Sequence, residues 1–107
     1  MPVITLDEIE LRNLLPGFRG RFIHTDRMTL AYFDIDEGAV LPEHSHPHEQ
    51  VSTILEGTFE LKLGDETIIQ EPGKVTVIPP DVTHSGKALS FCRVMDVFCP
   101  VREDYRK

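Results

Sequence analysis

Three of the chain's five histidines fall at His44, His46 and His48, and Gln50 continues the same parity. On an extended strand, side chains two apart share a face. His44 and His46 can therefore present two imidazoles to one metal ion at the roughly 2.0–2.1 Å of a zinc–nitrogen bond. Pro47 removes a ladder donor and marks a strand end, bulge or edge, so this expectation rests on the His44/His46 pair more than on the whole stripe. His84 closes a second turn-rich segment, GKVTVIPPDVTH from Gly73. A strand, a tight turn and then a histidine can bring a remote ligand back to the first pair. A lone histidine is most simply an ordinary surface or core residue, but three within five positions and a further one behind a turn point to a metal site. His24 has no such company and reads as an ordinary strand residue.

The elements that must position these groups are legible in the punctuation. Gly and Pro recur at Pro16-Gly17, Gly20, Gly38, Pro42, Pro47, Gly57, Gly64, Pro72-Gly73, Pro79-Pro80, Gly86 and Pro100, with short apolar segments between them. That is the pattern of an all-β chain. The segments are Arg27 to Ile35, Val51 to Leu55, Thr58 to Leu63, Thr67 to Gln70, Lys74 to Ile78 and Phe91 to Phe98. Several alternate at period 2: Phe59, Leu61 and Leu63 point one way, Thr58, Glu60 and Lys62 the other. At the N-terminus, Thr5 and Glu8 can form a capping box, and Leu6, Ile9 and Leu14 roughly match a helical face that Pro16-Gly17 would end. Thr5 fits an edge strand equally well. With no repeat, linker or low-complexity tract, residues 1–107 read as one domain with its core over roughly 17–105. Six or more strands in about 100 residues close into a barrel or a double-sheet jelly roll, which leaves no long open edge.

Composition narrows the partners. The 107 residues carry 11 Lys+Arg against 18 Asp+Glu, a formal charge of −7. Affinity for nucleic acid comes mostly from clustered Lys and Arg, so DNA and RNA are not expected partners. An anionic ligand would have to be met by a local positive group. Cys92 and Cys99 are too few for a disulfide framework and wrongly spaced for a CxxC pair, and read as ordinary thiols. The opening MPVITLDEIE has neither a basic n-region nor an apolar h-region, and no run approaches the ~18 apolar residues of a membrane span. A cytoplasmic protein is expected.

Two spaced motifs resemble a known family. Gly38-x5-His44-x-His46-x3-Gln50-x6-Gly57 is similar to the first motif of the cupin superfamily, with Gln50 where many members have Glu. Gly73-x5-Pro79-x-Asp81-x2-His84 resembles the second, with Asp81 in place of the usual Gly and Ala88 in place of the terminal Asn. The resemblance implies a double-stranded β-helix, the cupin jelly-roll barrel. Its lumen would bind one divalent metal through His44, His46, Gln50 and His84. Three neutral imidazoles and a neutral amide would leave the ion's full charge on the site, making it a better Lewis acid and anion anchor than a carboxylate-bearing one. Ni, Zn, Fe, Mn and Co all suit such ligands. Glu49, one residue out of register, is the alternative fourth ligand.

The ending Met95 to Tyr105 (MDVFCPVREDY) resembles the D-V-F-S-P-x-R-x-D-F/Y ending of the small pectin-degradation cupins, with Cys99 where that group has Ser. Those cupins convert 4,5-unsaturated monouronates to linear ketonised sugars. Taken as residues, Asp96 interrupts an apolar strand and shares parity with Phe98, so a carboxyl and an aromatic ring would face the same side. A half-buried carboxyl near a metal can serve as general acid or base. Arg102 offers a planar fork suited to a substrate carboxylate. The plainer alternatives are that Asp96 bonds backbone at a strand end and that Arg102 pairs with Glu103 or Asp104 on the surface.

The expectation is therefore a metal-dependent enzyme acting on an unsaturated uronate or similar small sugar acid. Asp96 would move protons, Arg102 would bind the carboxylate and Phe98 would line the pocket. The rivals are a cupin dioxygenase with a redox-active ion and a non-catalytic module that binds a sugar acid or metal. A homodimer that exchanges or pairs edge strands is expected, because a small barrel gains by covering its edges.

Overall fold

The computed structural model describes residues 3–106. Ten strands follow in order: β1 (Arg12–Leu15), β2 (Phe18–His24), β3 (Thr29–Ile35), β4 (Val40–His44), β5 (Glu49–Glu56), β6 (Phe59–Leu63), β7 (Glu66–Gln70), β8 (Val75–Ile78), β9 (His84–Ala88) and β10 (Cys92–Cys99). They form two antiparallel sheets, one ordered β1-β2-β3-β10-β5-β8 and the other β4-β9-β6-β7. Two antiparallel sheets enclosing one core are the jelly roll that the sequence resemblance implies.

The burial of the strands shows why they form. β2, β3, β5 and β10 bury every second residue, as period-2 alternation requires of a sheet with one face on the core. Phe18, Phe33, Ile35, Ile54, Phe59, Leu61, Ile78 and Val94 meet between the sheets. Burying each such side chain is worth roughly 1.5–3 kcal/mol, so the inward rows drive the closure.

Two segments differ from expectation at the N-terminal end. The helix reduces to a single 3-10 turn, Leu6–Glu8, and Thr5 makes no side-chain capping bond. Leu14, assigned above to a helical face, lies on β1 and turns toward the lumen. Pairing with β2 gives Leu14 and Leu15 a core to join, which an isolated helix of one or two turns could not offer. Strands β1, β4 and β9 carry no strong alternation, and the periodicity did not mark them.

Two motif departures are accommodated. Asp81 adopts φ 66°, the left-handed conformation in which Gly is common and Asp is tolerated. Its backbone N–H donates to the His46 carbonyl at 2.8 Å, so the turn before His84 is tied directly to the His46 loop. Ala88 is fully buried, and its backbone exchanges bonds with Gly38 and Ala39.

Gly38 and Gly57 open and close the first motif, both at positive φ. A methyl group at Gly38 would meet open space, whereas at Gly57 it would collide with the Phe91 carbonyl and crowd Ser90 Oγ. Gly38→Ala should cost about 1 kcal/mol, the left-handed penalty alone, and Gly57→Ala more than about 2 kcal/mol. Urea denaturation of both variants checks this; equal costs would contradict the steric account.

Candidate metal centre

Sheet register brings the first two histidines together. His44 ends β4 and His84 begins β9, and the two are direct cross-strand partners with ring centroids 4.2 Å apart. His46 differs from the strand-based expectation. It lies off the strand, in the irregular stretch 45–48 before β5, because Pro47 interrupts the ladder there. The stretch folds back so that its ring sits 5.7 Å from His44 and 5.0 Å from His84. The three rings offer ligand atoms that all lie within 4.8 Å of one another, a cluster able to hold one metal ion.

Hydrogen bonding orients each ring. His44 Nδ1 bonds the Pro42 carbonyl at 2.8 Å, His84 Nδ1 the Val82 carbonyl at 2.9 Å, and His46 Nδ1 the His48 carbonyl at 3.1 Å. A carbonyl only accepts, so each Nδ1 carries the proton and each Nε2 is left a bare lone pair, the arrangement that orients metal-bound histidines. Burial holds the pKa values of His46 and His84 below the ordinary histidine range, which keeps both rings neutral and ligand-competent.

Gln50 enters from β5, buried, with Oε1 3.1 Å from His46 Nε2. Two acceptors face each other there, and His84 Nε2 is buried with no partner at all. These residues fit a divalent cation, since a positive ion would satisfy every one of these lone pairs at once. Glu49, the alternative ligand, is exposed on the opposite face of β5. His48 takes another part: its Nε2 donates to the Val101 carbonyl at 3.2 Å, joining the His46 loop to the C-terminal segment.

One cavity, lined by the histidines and Gln50, also receives Asp96, Phe98, Ser52, Arg102 and Tyr105. Asp96 and Phe98 project inward from β10, directly across from Ser52 and Gln50 on β5. Asp96 sits mid-strand rather than at a strand end, and its Oδ1 has no partner. Burial pushes its pKa up to about 6, although hydrogen bonding from Ser52 and Gln50 and the charge of Arg102 pull it down.

Arg102 does pair with Asp104, through Nε at 3.0 Å and Nη2 at 2.7 Å, but the pair is not the surface one considered above. Arg102 is buried. Its guanidinium lies 4.1 Å from the Tyr105 ring centroid and 4.8 Å from that of Phe98. Asp104 occupies the Nε/Nη2 edge, and the guanidinium also hydrogen-bonds the Tyr105 side chain. Thr29, fully buried, accepts the Arg102 backbone N–H at 2.9 Å, and Arg12 reaches the Tyr105 carbonyl at 2.6 Å.

Sequence reasoning passed over several of these residues. Ser52 shares parity with Gln50 on a recognised strand, so alternation alone would have found it. Gln70, 3% exposed in the same cavity with an unpartnered Nε2, ends a strand, where a polar residue reads as the start of a turn. Thr29 and Arg12 act across 73 and 93 residues of sequence, which no local pattern reports.

Comparison with known proteins agrees with this geometry. Residues 31–98 match the cupin domain family. The structure of KdgF from Halomonas sp. superposes with a TM-score of 0.91 at 29% identity, covering 98% of both chains. An RmlC-like cupin from Shewanella frigidimarina gives 0.87 at 25% identity, over 92% of this chain and 90% of that one. An uncharacterized protein of Streptomyces coelicolor, SCO3923, is 28% identical over 94% of this chain and 97% of its own.

Two measurements test the site. Gln50→Ala should weaken divalent-metal binding at least about tenfold and Glu49→Ala should leave it unchanged, read by isothermal titration; the reverse result would move the ligand to Glu49. In metal-free protein, the raised pKa of Asp96 means that its protonated form favours folding. That contribution is whole below about pH 3.8 and is lost as pH rises through about 6. Asp96→Asn should therefore gain on wild type by up to about 2–3 kcal/mol between pH 4 and pH 7, measured by urea denaturation. A difference independent of pH would show that the carboxyl titrates normally.

Proposed function

Because the chain belongs to the cupin family, we propose that its lumen is the active site of a metal-dependent enzyme. In this reading it converts 4,5-unsaturated monouronates, released from pectin or alginate, into linear ketonised sugars. The observation that carries the proposal is the meeting, in one cavity, of a metal-competent acceptor cluster, a buried carboxyl able to trade a proton near neutral pH, and a buried arginine. The resemblance of the C-terminal ending to the pectin-degradation cupins and the likeness to KdgF over nearly the whole of both chains support the choice of substrate class.

A divalent cation held by His44, His46, His84 and Gln50 would polarise the sugar's oxygens as a Lewis acid. The chain's own residues supply the rest. Arg102, held along one edge by Asp104 and set against the Phe98 and Tyr105 rings, offers its positive charge to the substrate carboxylate. This meets the negative substrate with a local positive charge on a chain of net charge −7. Asp96 takes the proton from the anomeric hydroxyl as the ring C–O bond opens, leaving an aldehyde at C1 and an enolate oxygen at C5. It then delivers that proton to C4 as C5 becomes a ketone. One proton moves from oxygen to carbon and nothing else is gained or lost, so the reaction is an isomerisation.

The folded pKa near 6 leaves Asp96 mainly ionised at neutral pH, as a base needs, yet high enough to return the proton. Phe98, 2% exposed beside the His46 ring, keeps water from that carboxyl.

Conversion is followed by the ultraviolet absorbance of the conjugated double bond. Asp96→Asn should keep its fold and metal and lose about 10²–10⁴-fold in kcat. Undiminished conversion by that variant would remove Asp96 from the mechanism, and no conversion of any uronate by metal-loaded wild type would refute the function.

A further inference from the structure

Gln70 lines the same cavity as the histidines, yet the reaction described above makes no use of it. It is buried, and its Nε2 has no hydrogen-bond partner among the described residues. A buried donor without an acceptor opposes folding, so its natural complement is an acceptor that enters the cavity as part of a ligand.

Register fixes how deep this amide lies. His84 opens β9 opposite Leu63, at the metal end. Ala88 closes β9 opposite Phe59, and Phe59 is in turn opposite Gln70 on β7. At about 3.3 Å per residue, the Gln70 row stands about 13 Å along the strands from the His84 row, too far to share the ion. On the facing sheet the Asp96–Ser52 row lies two residues beyond the Gln50–Phe98 row. The displacement has the same direction in both sheets, because residues 89–91 join the Ala88 end of β9 to the Cys92 end of β10. Metal ligands, carboxyl and amide therefore follow one another down the lumen. Arg102 belongs to the metal end: its guanidinium lies against Phe98, whose ring is beside that of His46.

The deep end selects the chemistry of what it meets. Phe59, Leu61 and Val94 line the cavity with Gln70 and offer no charge. A neutral amide in such company suits an uncharged oxygen that can both accept and donate, a hydroxyl, and not a second carboxylate.

Resting on the uronate reading, we propose that Gln70 binds the C2 hydroxyl of the sugar ring and so distinguishes substrates by their configuration at C2. With the carboxylate at Arg102, C5 lies toward the metal end. The ring atom opposite C5 is C2, which is thereby directed down the lumen toward Gln70. The unsaturated monouronates of pectin and of alginate are epimers at this carbon. One of the pair satisfies the amide, and its epimer turns the hydroxyl away and leaves the amide unpaired. A site built to bond a hydroxyl discriminates through the loss of that bond.

Kinetics on the two epimers, followed by ultraviolet absorbance in metal-loaded protein, test the role. Wild type should favour one epimer at least about tenfold in kcat/KM. Gln70→Met keeps the side-chain length and removes the amide; it should bring the ratio within about threefold, through a higher KM for the favoured epimer with kcat little changed. Its divalent-metal affinity should match wild type by isothermal titration, and its urea midpoint without metal should equal or exceed wild type's. Gln70→Leu serves in its place if Gln70→Met does not fold. Equal kcat/KM for both epimers in wild type, an unchanged ratio in the variant, or a fall in kcat together with metal affinity would overturn the role of Gln70 and leave the uronate reading standing. Failure of wild type to convert either epimer would overturn both.

Discussion

Everything in the lumen follows from one electrostatic conflict. The Nδ1 protons of His44, His46 and His84 are each spent on a backbone carbonyl, so three bare Nε2 lone pairs and the Gln50 oxygen converge on one buried point. Acceptors facing one another away from water repel, and only a proton or a cation relieves them. Burial lowers the proton affinity of His46 and His84, which tilts the competition toward a cation. The fold holds this unfavourable arrangement in place by rigid means: the His44–His84 cross-strand pair, the Asp81 N–H on the His46 carbonyl, and the His48 bond to Val101.

The same geometry explains which parts of the site were readable from sequence. Asp96 and Phe98 lie on β10, a fully alternating strand flanked on both sides, so parity alone set their common inward direction. Gln50 and Glu49 were likewise separable, because β5 alternates and places one in the lumen and the other in solvent. His46 was grouped correctly but for an incomplete reason. It shares no strand with His44, and what brings its ring inward is a loop shaped by Pro47 and a bond from a residue 35 positions later. Such long-range ties leave no local periodicity. The N-terminal segment shows the opposite error: a helix-like pattern gave way because Leu14 had a sheet to join.

Arg102 shows how a buried cation is made tolerable. Burial, the largest single influence, lowers its pKa, yet the hydrogen bonds to Asp104 and Tyr105 and their charges together outweigh that and leave it raised, while the Asp104 carboxyl is held below its ordinary range. Asp104 is itself well exposed, so half of the pair keeps its hydration and the desolvation penalty falls mainly on the arginine. The Phe98 and Tyr105 rings cover the guanidinium, and Thr29 and Arg12 anchor the backbone of the same segment. A positive group is thereby fixed in the cavity of an acidic chain.

The strict period of two also lets one strand serve two purposes. On β5 and β10, Gln50, Ser52, Asp96 and Phe98 face the cavity while Val51, Thr53, Met95 and Val97 face outward. A one-residue slip would exchange the two sets, moving a buried carboxyl to solvent and valines into a polar site, so the register is held from both faces at once.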